Sequence, residues 1–357
     1  MATPAELTVI VCTLGEAAVA ETVESITSSA RVAARPIETV VVWQGRSTPP
    51  SLGDGVRVLD VFPVGLAYAR NRGLDAAATP LVAFVDDDEL VDPGWVGGVF
   101  EGFLGDAAAV FGPVEPLDDR GLPYCSYVGS EPRVFRGRGV RPWVVGTGGN
   151  MAFRREELQA VGGFDPRFGI GAPARSAEDS DIVLRLLRTG RSIAWSPEMV
   201  VYHPTKNESE HLASRYPYGF GMGSVLRRHR AVAHGLRYLV AIGQSFSAGM
   251  RTGSARRRRE ARATLRSFLQ GTVSGIRPLA PLGPLKRLPD EVRAKLDGID
   301  PMPLPSDFDG KPHFRYAVGD DLLLNLYVGA PEAFDSAGEV VARANGRGAH
   351  WVLERVR

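Results

Sequence analysis

Residues 81–95 read LVAFVDDDELVDPGW: five apolar residues run straight into Asp86, Asp87 and Asp88. A short apolar run ended by a turn signal fits a strand covered on both faces. Further runs of this kind lie at 7–13, 38–43, 56–61 and 107–114, with helix-like stretches at 17–30, 66–78 and 93–104. Strands alternating with helices predict a three-layer α/β fold around a parallel sheet. Ligands of such sheets bind beyond the carboxyl ends of the strands, which is where the aspartates fall.

Three like charges in a row repel one another, and no fold requires them. They make sense if a cation, or the phosphate–metal end of a ligand, sits beside them. Mg²⁺ is typically held by one or two carboxylates together with substrate phosphates. Asp86 and Asp88 are two apart, so on a still-extended chain they point to the same side. The competing explanation is a solvated loop capping the helix that starts near Pro93, since acids favour helix N-termini.

Other segments offer polar groups to the same crevice. EDSD at 178–181 opens a helical pattern that stops at Gly190. Asp179 or Ser180 there is an ordinary N-cap, or a carboxylate at a helix start acting as general base. His203 ends the strand-like MVVYH, as a packed residue or a metal ligand. GTGGN at 146–150, read within a strand broken by glycines, lets a backbone approach a ligand or simply turns. Arg70 and Arg72 stand at a helix start, and Arg suits diphosphate oxygens. There is no G-x-G-x-x-G after the first strand, no P-loop, no zinc spacing and no nucleophile elbow.

The chain of 357 residues is long enough for one large domain and an appendage. Its 44% apolar and 23% charged residues place it among soluble globular proteins. Two cysteines, with Cys12 inside an apolar run, make a disulfide framework improbable and fit a reducing compartment. The N-terminus lacks a basic n-region, and no stretch reaches eighteen uninterrupted apolar residues. The expectation is a cytoplasmic protein, peripheral at the inner face of the membrane.

The net charge of +1 hides an asymmetry: residues 227–266 hold eleven Arg and one acid, Glu260. That segment reads as a solvated helical face, an anionic membrane contact, or a subsite for an anionic lipid-linked or polymeric acceptor. Nucleic acid is not expected, because no recognisable module is present. The expected division is 1–205 as the α/β domain, 206–276 as a helical Arg-rich extension, 277–312 as a Pro-rich linker and 313–357 as a small β/α segment. In the last, a hairpin turned at GDD precedes a helix.

Taken in order, GLAYARNRGL, the buried strand ending in D-x-D, GGNMAFRR, GGFD, EDSD and VVYHP resemble family 2 glycosyltransferases over roughly residues 7–203. The resemblance implies a GT-A fold, Rossmann-like with a mixed, mostly parallel sheet flanked by helices. It implies inverting transfer of a sugar from a nucleotide-diphosphate donor (UDP-, dTDP- or GDP-linked) to an acceptor hydroxyl on a glycan, a lipid-linked glycan or a small molecule. A divalent metal, Mn²⁺ or Mg²⁺, would fall on Asp86 and Asp88, with His203 completing its coordination. The catalytic base falls on Asp179. Thr13, Glu16, Gln44, Arg70 and Asp87 would border the donor. Gly148, Gly149, Asn150 and Glu178 would line the donor or acceptor pocket.

The chain departs from the family in two places. CTLGE stands where many relatives have P-x-Y-N-R, and Trp43-Gln44 stands where they have an Asp. Both regions hold base and ribose, so the nucleotide stays open; Trp43 either stacks on a base or belongs to the core. One alternative is a sugar nucleotidyltransferase, which would want a basic Gly-rich first loop where this chain has the acidic TLGEAAVAE. The other is a non-catalytic nucleotide-sugar-binding or scaffold protein, which would have no need of the second carboxylate site.

Overall fold

The computed structural model describes residues 4–274 apart from 16–17, 46–48, 54, 62–63 and 124–129, and then 290–296, 302–304, 313–318, 322–328, 339–344 and 349–355. Glu16 and the GDD turn at 319–321 lie outside the described residues. The chain begins with β1 (Leu7–Thr13), α1 (Val19–Val32), β2 (Glu38–Trp43), β3 (Val56–Asp60), α2 (Leu66–Ala76), β4 (Leu81–Asp86) and β5 (Leu90–Val91). There follow α3 (Trp95–Gly102), β6 (Ala109–Phe111), β7 (Val114–Pro116), β8 (Arg133–Phe135), β9 (Asn150–Arg154) and α4 (Arg155–Ala160). Next come α5 (Glu178–Arg188), β10 (Ile193–Trp195) and β11 (Val201–His203), then three long helices, α6 (Glu208–Arg228), α7 (Val232–Arg251) and α8 (Ala255–Ser274).

The main sheet runs β3-β2-β1-β4-β9-β6-β10-β8, with β3, β2, β1 and β4 mutually parallel and β9 antiparallel to both neighbours. Strand order reverses beside β1, so the crevice opens at the carboxyl ends of β1 and β4. Alternate residues feed two cores. Leu7, Val9 and Val11 pack with Val23 and Ile26 of α1 and with Trp95 of α3. Ile10, Val82 and Phe84 pack on the other face with Leu74 of α2 and Ile182 of α5.

A second sheet, β5-β11-β7, pairs Tyr202 with Leu90. Its register carries His203 past β5 to the residues just after β4.

Several expectations are corrected. The run at 107–114 is two strands in different sheets, because Pro113 has no amide to continue the ladder. The strand expected through the 146–150 glycines starts only at Asn150; before it lie a 3₁₀ turn at Pro142–Val144 and a loop. β3, expected to be covered on both faces, is an edge strand with no fully buried residue. The helix expected after the C-terminal hairpin is instead a pair of strands. β12 (Met302–Leu304), β13 (His313–Val318), β14 (Leu322–Val328), β15 (Glu339–Ala344) and β16 (Ala349–Arg355) form an antiparallel sheet ordered β12-β13-β14-β16-β15. Segments of six or seven residues gain ladder hydrogen bonds there, whereas an isolated helix of that length is marginal. β12 and a short helix, α9 (Asp290–Lys295), occupy part of the stretch expected as linker.

α6 starts at a capping box in which Asn207 and Glu210 satisfy each other's backbone amides. It is wedged between the α/β part and α8. Gly221 lies against Ser176, while Gly219 and Gly223 lie against the α8 backbone, where a Cβ would collide. A buried network ties α6 to α5. Arg188 donates to His229 Nδ1, so Nε2 carries the proton and donates to Asp181 Oδ1 at 2.6 Å. Burial opposes ionisation of Asp181, but His229 and Arg185 outweigh it and hold its carboxyl below the usual range. No helix among the described residues is long and apolar enough to cross a membrane.

Candidate active site

A cavity of about 490 Å³ opens at the ends of β1, β2 and β4. Its walls include Thr13, Gln44, Arg70, Asp86, Asp87, Asp88, Gly148, Glu178, Asp179 and His203. Residues almost 200 positions apart therefore share one space. Lys206, Ser214, Pro217 and Tyr218 also line it, so the expected division at residue 205 runs through the cavity wall.

Arg70 holds the site together. It is 2% exposed. Nη1 donates to Glu178 Oε1 at 2.7 Å, and Nη2 donates to Asp86 Oδ1 at 3.0 Å and to the Gly148 carbonyl at 2.9 Å. A Cβ on Gly148 would sit 3.1 Å from both Arg70 and Glu178, so a larger residue there requires those side chains to give way. Arg70 was expected to border the donor. It lines the cavity, but its two terminal nitrogens are engaged by carboxylates, so it joins the strand β4 end to the α5 start.

The aspartates do not share one direction. The chain turns after Asp86, the last residue of β4, so the extended-chain argument for Asp86 and Asp88 fails. Asp86 faces Arg70. Burial raises Asp87 to about 6; the Thr13 hydroxyl opposes the rise, while Asp88 and Asp86 add to it. Burial also raises Asp88, against the pull of His203. Asp88 Oδ2 lies 3.5 Å from His203 Nε2 with 44% of its side chain exposed. His203 Nδ1 is 2.6 Å from the Pro204 carbonyl, an oxygen that can only accept, so Nδ1 carries the proton. In the neutral ring Nε2 then turns a lone pair towards a carboxylate, an arrangement reconciled by a proton or a metal cation between them.

Sequence reasoning missed Glu89. It is fully buried, and burial reinforced by Asp86 and Asp88 lifts its carboxyl well above the usual range. Oε2 accepts from the Asp86 amide at 3.3 Å, and Oε1 finds no partner among the described residues. A Cβ on Gly149 would come within 2.6 Å of both Glu89 oxygens, which explains that glycine. The fourth consecutive acid in DDDE was the available signal. Lys206, whose ammonium burial pulls down, was also missed. No group of three or more His, Cys, Asp or Glu side chains converges as a ready-made metal cage among the described residues.

At the start of α5, Glu178 is bound to Arg70 while Asp179 faces the cavity. Burial, then the charge of Glu178, lifts Asp179 to about 7, against a 2.6 Å hydrogen bond from the Ser180 amide. The preceding residues Arg175 and Ala177 have positive φ, +65° and +71°, and Ser176 between them donates to the Pro217 carbonyl of α6 at 2.7 Å. Backbone strain of this kind persists only where the surroundings over-determine it.

Two expected residues serve the core. Asn150 is buried outside the cavity wall: it accepts from Trp95 Nε1 at 2.9 Å and donates to the carbonyls of Pro113 and Met199. Its assignment to the donor or acceptor pocket is corrected, since it lies outside the cavity lining and both its amide donors are spent on tying loops together. Trp43 is buried, packed against Gly15 and Gly45, and is core. Gln44 does line the cavity, and its Oε1 accepts from the Gly65 amide at 3.3 Å.

The family model described as "Glycosyltransferase like family 2" matches residues 4–216, more than half of the chain. The chain belongs to that family. It is a glycosyltransferase of the GT-A fold. The succinoglycan biosynthesis protein ExoM of Rhizobium meliloti (strain 1021) is 29% identical over 291 residues, covering 74% of this chain and 91% of that protein. The glucosyl-dolichyl phosphate glucuronosyltransferase of Haloferax volcanii is 24% identical over 229 residues, covering 56% and 69%. In fold, the chain is similar to the mannosyltransferase PcManGT from Pyrobaculum calidifontis, solved with GDP-Man and Mn²⁺. The TM-score is 0.50, at 18% identity, over 74% of this chain and 87% of that one.

Proposed function

We propose that this glycosyltransferase moves a sugar from a nucleotide-diphosphate donor to an acceptor hydroxyl by a single inverting displacement, with Asp179 as general base. The observation that carries the reading is the contrast at 178–179. Glu178 is neutralised by Arg70, whereas Asp179, lifted to about 7, is matched to proton abstraction near neutral pH. In the step, the acceptor oxygen bonds to the anomeric carbon, the bond to the diphosphate oxygen breaks, and the acceptor proton passes to Asp179. Thr13, Gln44 and Asp87 border the nucleotide side.

The facing acceptors Asp88 and His203 suit a divalent cation, Mn²⁺ or Mg²⁺, with Asp86 behind them. Such a cation, when bound, offsets the charge on the leaving diphosphate. Lys206 adds positive charge on the same side of the cavity. The Mn²⁺ in the Pyrobaculum enzyme's complex is in keeping with this. The reading extends to place: a cytoplasmic enzyme, peripheral at the anionic inner face of a membrane, whose acceptor is a glycan, a lipid-linked glycan or a small hydroxyl compound. The name of the Haloferax relative, which acts on a dolichyl phosphate, supports a lipid-linked acceptor.

The test is donor binding and slow donor hydrolysis across UDP-, dTDP- and GDP-sugars, with Mn²⁺, with Mg²⁺ and with EDTA. EDTA is expected to abolish turnover, and Asp88→Asn to weaken donor binding in Mn²⁺ by at least about tenfold, or 1.4 kcal/mol. Full turnover in EDTA would remove the metal from the reading and leave the aspartates as a surface cap.

A further inference from the structure

We infer that the outer face of the α7–α8 hairpin seats the protein on an anionic lipid bilayer. The inference rests on the membrane reading above and moves its contact away from the Arg256–Arg259 run. Most of that run is engaged internally: Arg256 pairs with Glu260, Arg258 donates to the Gly249 carbonyl and Arg259 pairs with Glu208.

The solvent side of α7 carries an aliphatic stripe beside exposed Arg237, Gln244, Ser245 and Ser247. Val232, Leu236 and Val240, at i, i+4 and i+8, are 58–72% exposed, and Met250 is exposed near the end of the helix. The antiparallel partner α8 exposes Leu265, Leu269 and Val273 at the same spacing. The two helices are held together by Tyr238 against Phe268 and by Gly249 against Arg257 and Arg258.

The polar flank is basic. α7 contains no acid, and the single acid of α8, Glu260, is turned inward to His211 and Arg256. Arg141 and Arg237 join Leu236 and Val240 in a groove of about 470 Å³. Aliphatic residues on one face and arginines beside them are the pattern of helices that lie in a bilayer interface.

A second copy of the chain fits poorly, because facing hairpins would bring arginine against arginine with no acid between. A nucleic acid would use the arginines and leave the aliphatic stripe in water.

The position constrains the acceptor. α6 lies between the hairpin and the cavity, touching Ser176 on one side and α8 on the other. Lipid against the outer face is therefore separated from the cavity by the hairpin and by α6, about two helix diameters or roughly 20 Å. An acceptor anchored in that lipid reaches the site only with a head group long enough to span those two layers.

The experiment is co-flotation of the full chain with vesicles of phosphatidylcholine alone and of equimolar phosphatidylcholine and phosphatidylglycerol. The wild type is expected to float with the second and much less with the first, and less still at high salt. Leu236→Glu combined with Val240→Glu, both at exposed sites, is expected to cut the bound fraction at least about tenfold, with an unchanged melting temperature. Leu104→Glu, an exposed leucine after α3, is expected to float like the wild type.

A double variant that floats as well as the wild type overturns the hairpin assignment and leaves the membrane reading standing. Loss with Leu104→Glu equal to that of the double variant overturns it too. So does a double variant that only converts a dimer to a monomer. A wild type that floats with neither vesicle overturns both readings.

Discussion

The two acidic clusters, 86–89 and 178–181, face one cavity and treat their charge in opposite ways. At 178–181 the counter-charges are built in: Arg70 on Glu178, and Arg185 on Asp181, which also accepts a hydrogen bond from His229. Asp179 alone is left to take up a proton. At 86–89 one arginine contact serves Asp86, and burial and mutual repulsion raise Asp87, Asp88 and Glu89. That cluster is short of positive charge, as a site that awaits a cation would be. A row of acids is thus no single signal. What differs is whether the fold supplies the compensating charge or leaves it to a ligand.

The sharpest way to break the comparison is Asp179→Asn. Removing the base is expected to lower kcat by about 10²- to 10⁴-fold, with donor binding changed by less than about tenfold. Single-turnover rates beside donor titrations read both. Glu178→Gln should not reproduce that split; if it carries the larger kcat defect, the roles of the neighbours are exchanged.

Arg70→Met tests the joint between the clusters. It leaves Glu178 and Asp86 without their buried partner, which costs about 3–5 kcal/mol when one member of a buried pair is removed. Thermal or denaturant unfolding measures this, and a loss under about 1 kcal/mol would mean the pair is hydrated rather than buried. Arg70→Lys is expected to rescue only in part, because an ammonium cannot span two carboxylates and a carbonyl with a planar fork.

The smallest effect is in pH dependence. Asp179 ionises at about 7 in the folded chain, far above an ordinary carboxyl. Below pH 7 the base is protonated, so kcat should fall about tenfold per unit. Stability runs the other way. The unfolded carboxyl ionises near 4, so a contribution fully present below that pH is lost as pH rises through 7. Asp179→Asn is therefore expected to melt higher relative to the wild type at pH 8 than at pH 5, and an equal gap at both would place the titration on another group.

The sequence alone was enough for the strand–helix alternation, the position of Asp86–Asp88 at a strand end and of Asp179 at a helix start. Each is a local property: apolar runs, a turn signal, a capped amphipathic period. The ordered set of motifs carried the family by the same route. Local signals failed where partners are distant. They misplaced Asn150, whose three hydrogen bonds come from three other segments. They did not pair Arg70 with Glu178, because a buried ion pair spanning 108 positions has no mark in its own neighbourhood. They read β15 and β16 as a helix, since strand pairing is non-local.

Only the tertiary structure decided how the charges are shared. Registering β11 on β5 brings His203 to Asp88, and packing α5 on α2 brings Glu178 to Arg70. The sequence determined which ionisable groups this enzyme has. Burial and pairing decided which of them meets an arginine and which is left without one, because a carboxylate's chemistry depends on the charges and water around it rather than on its neighbours in the chain.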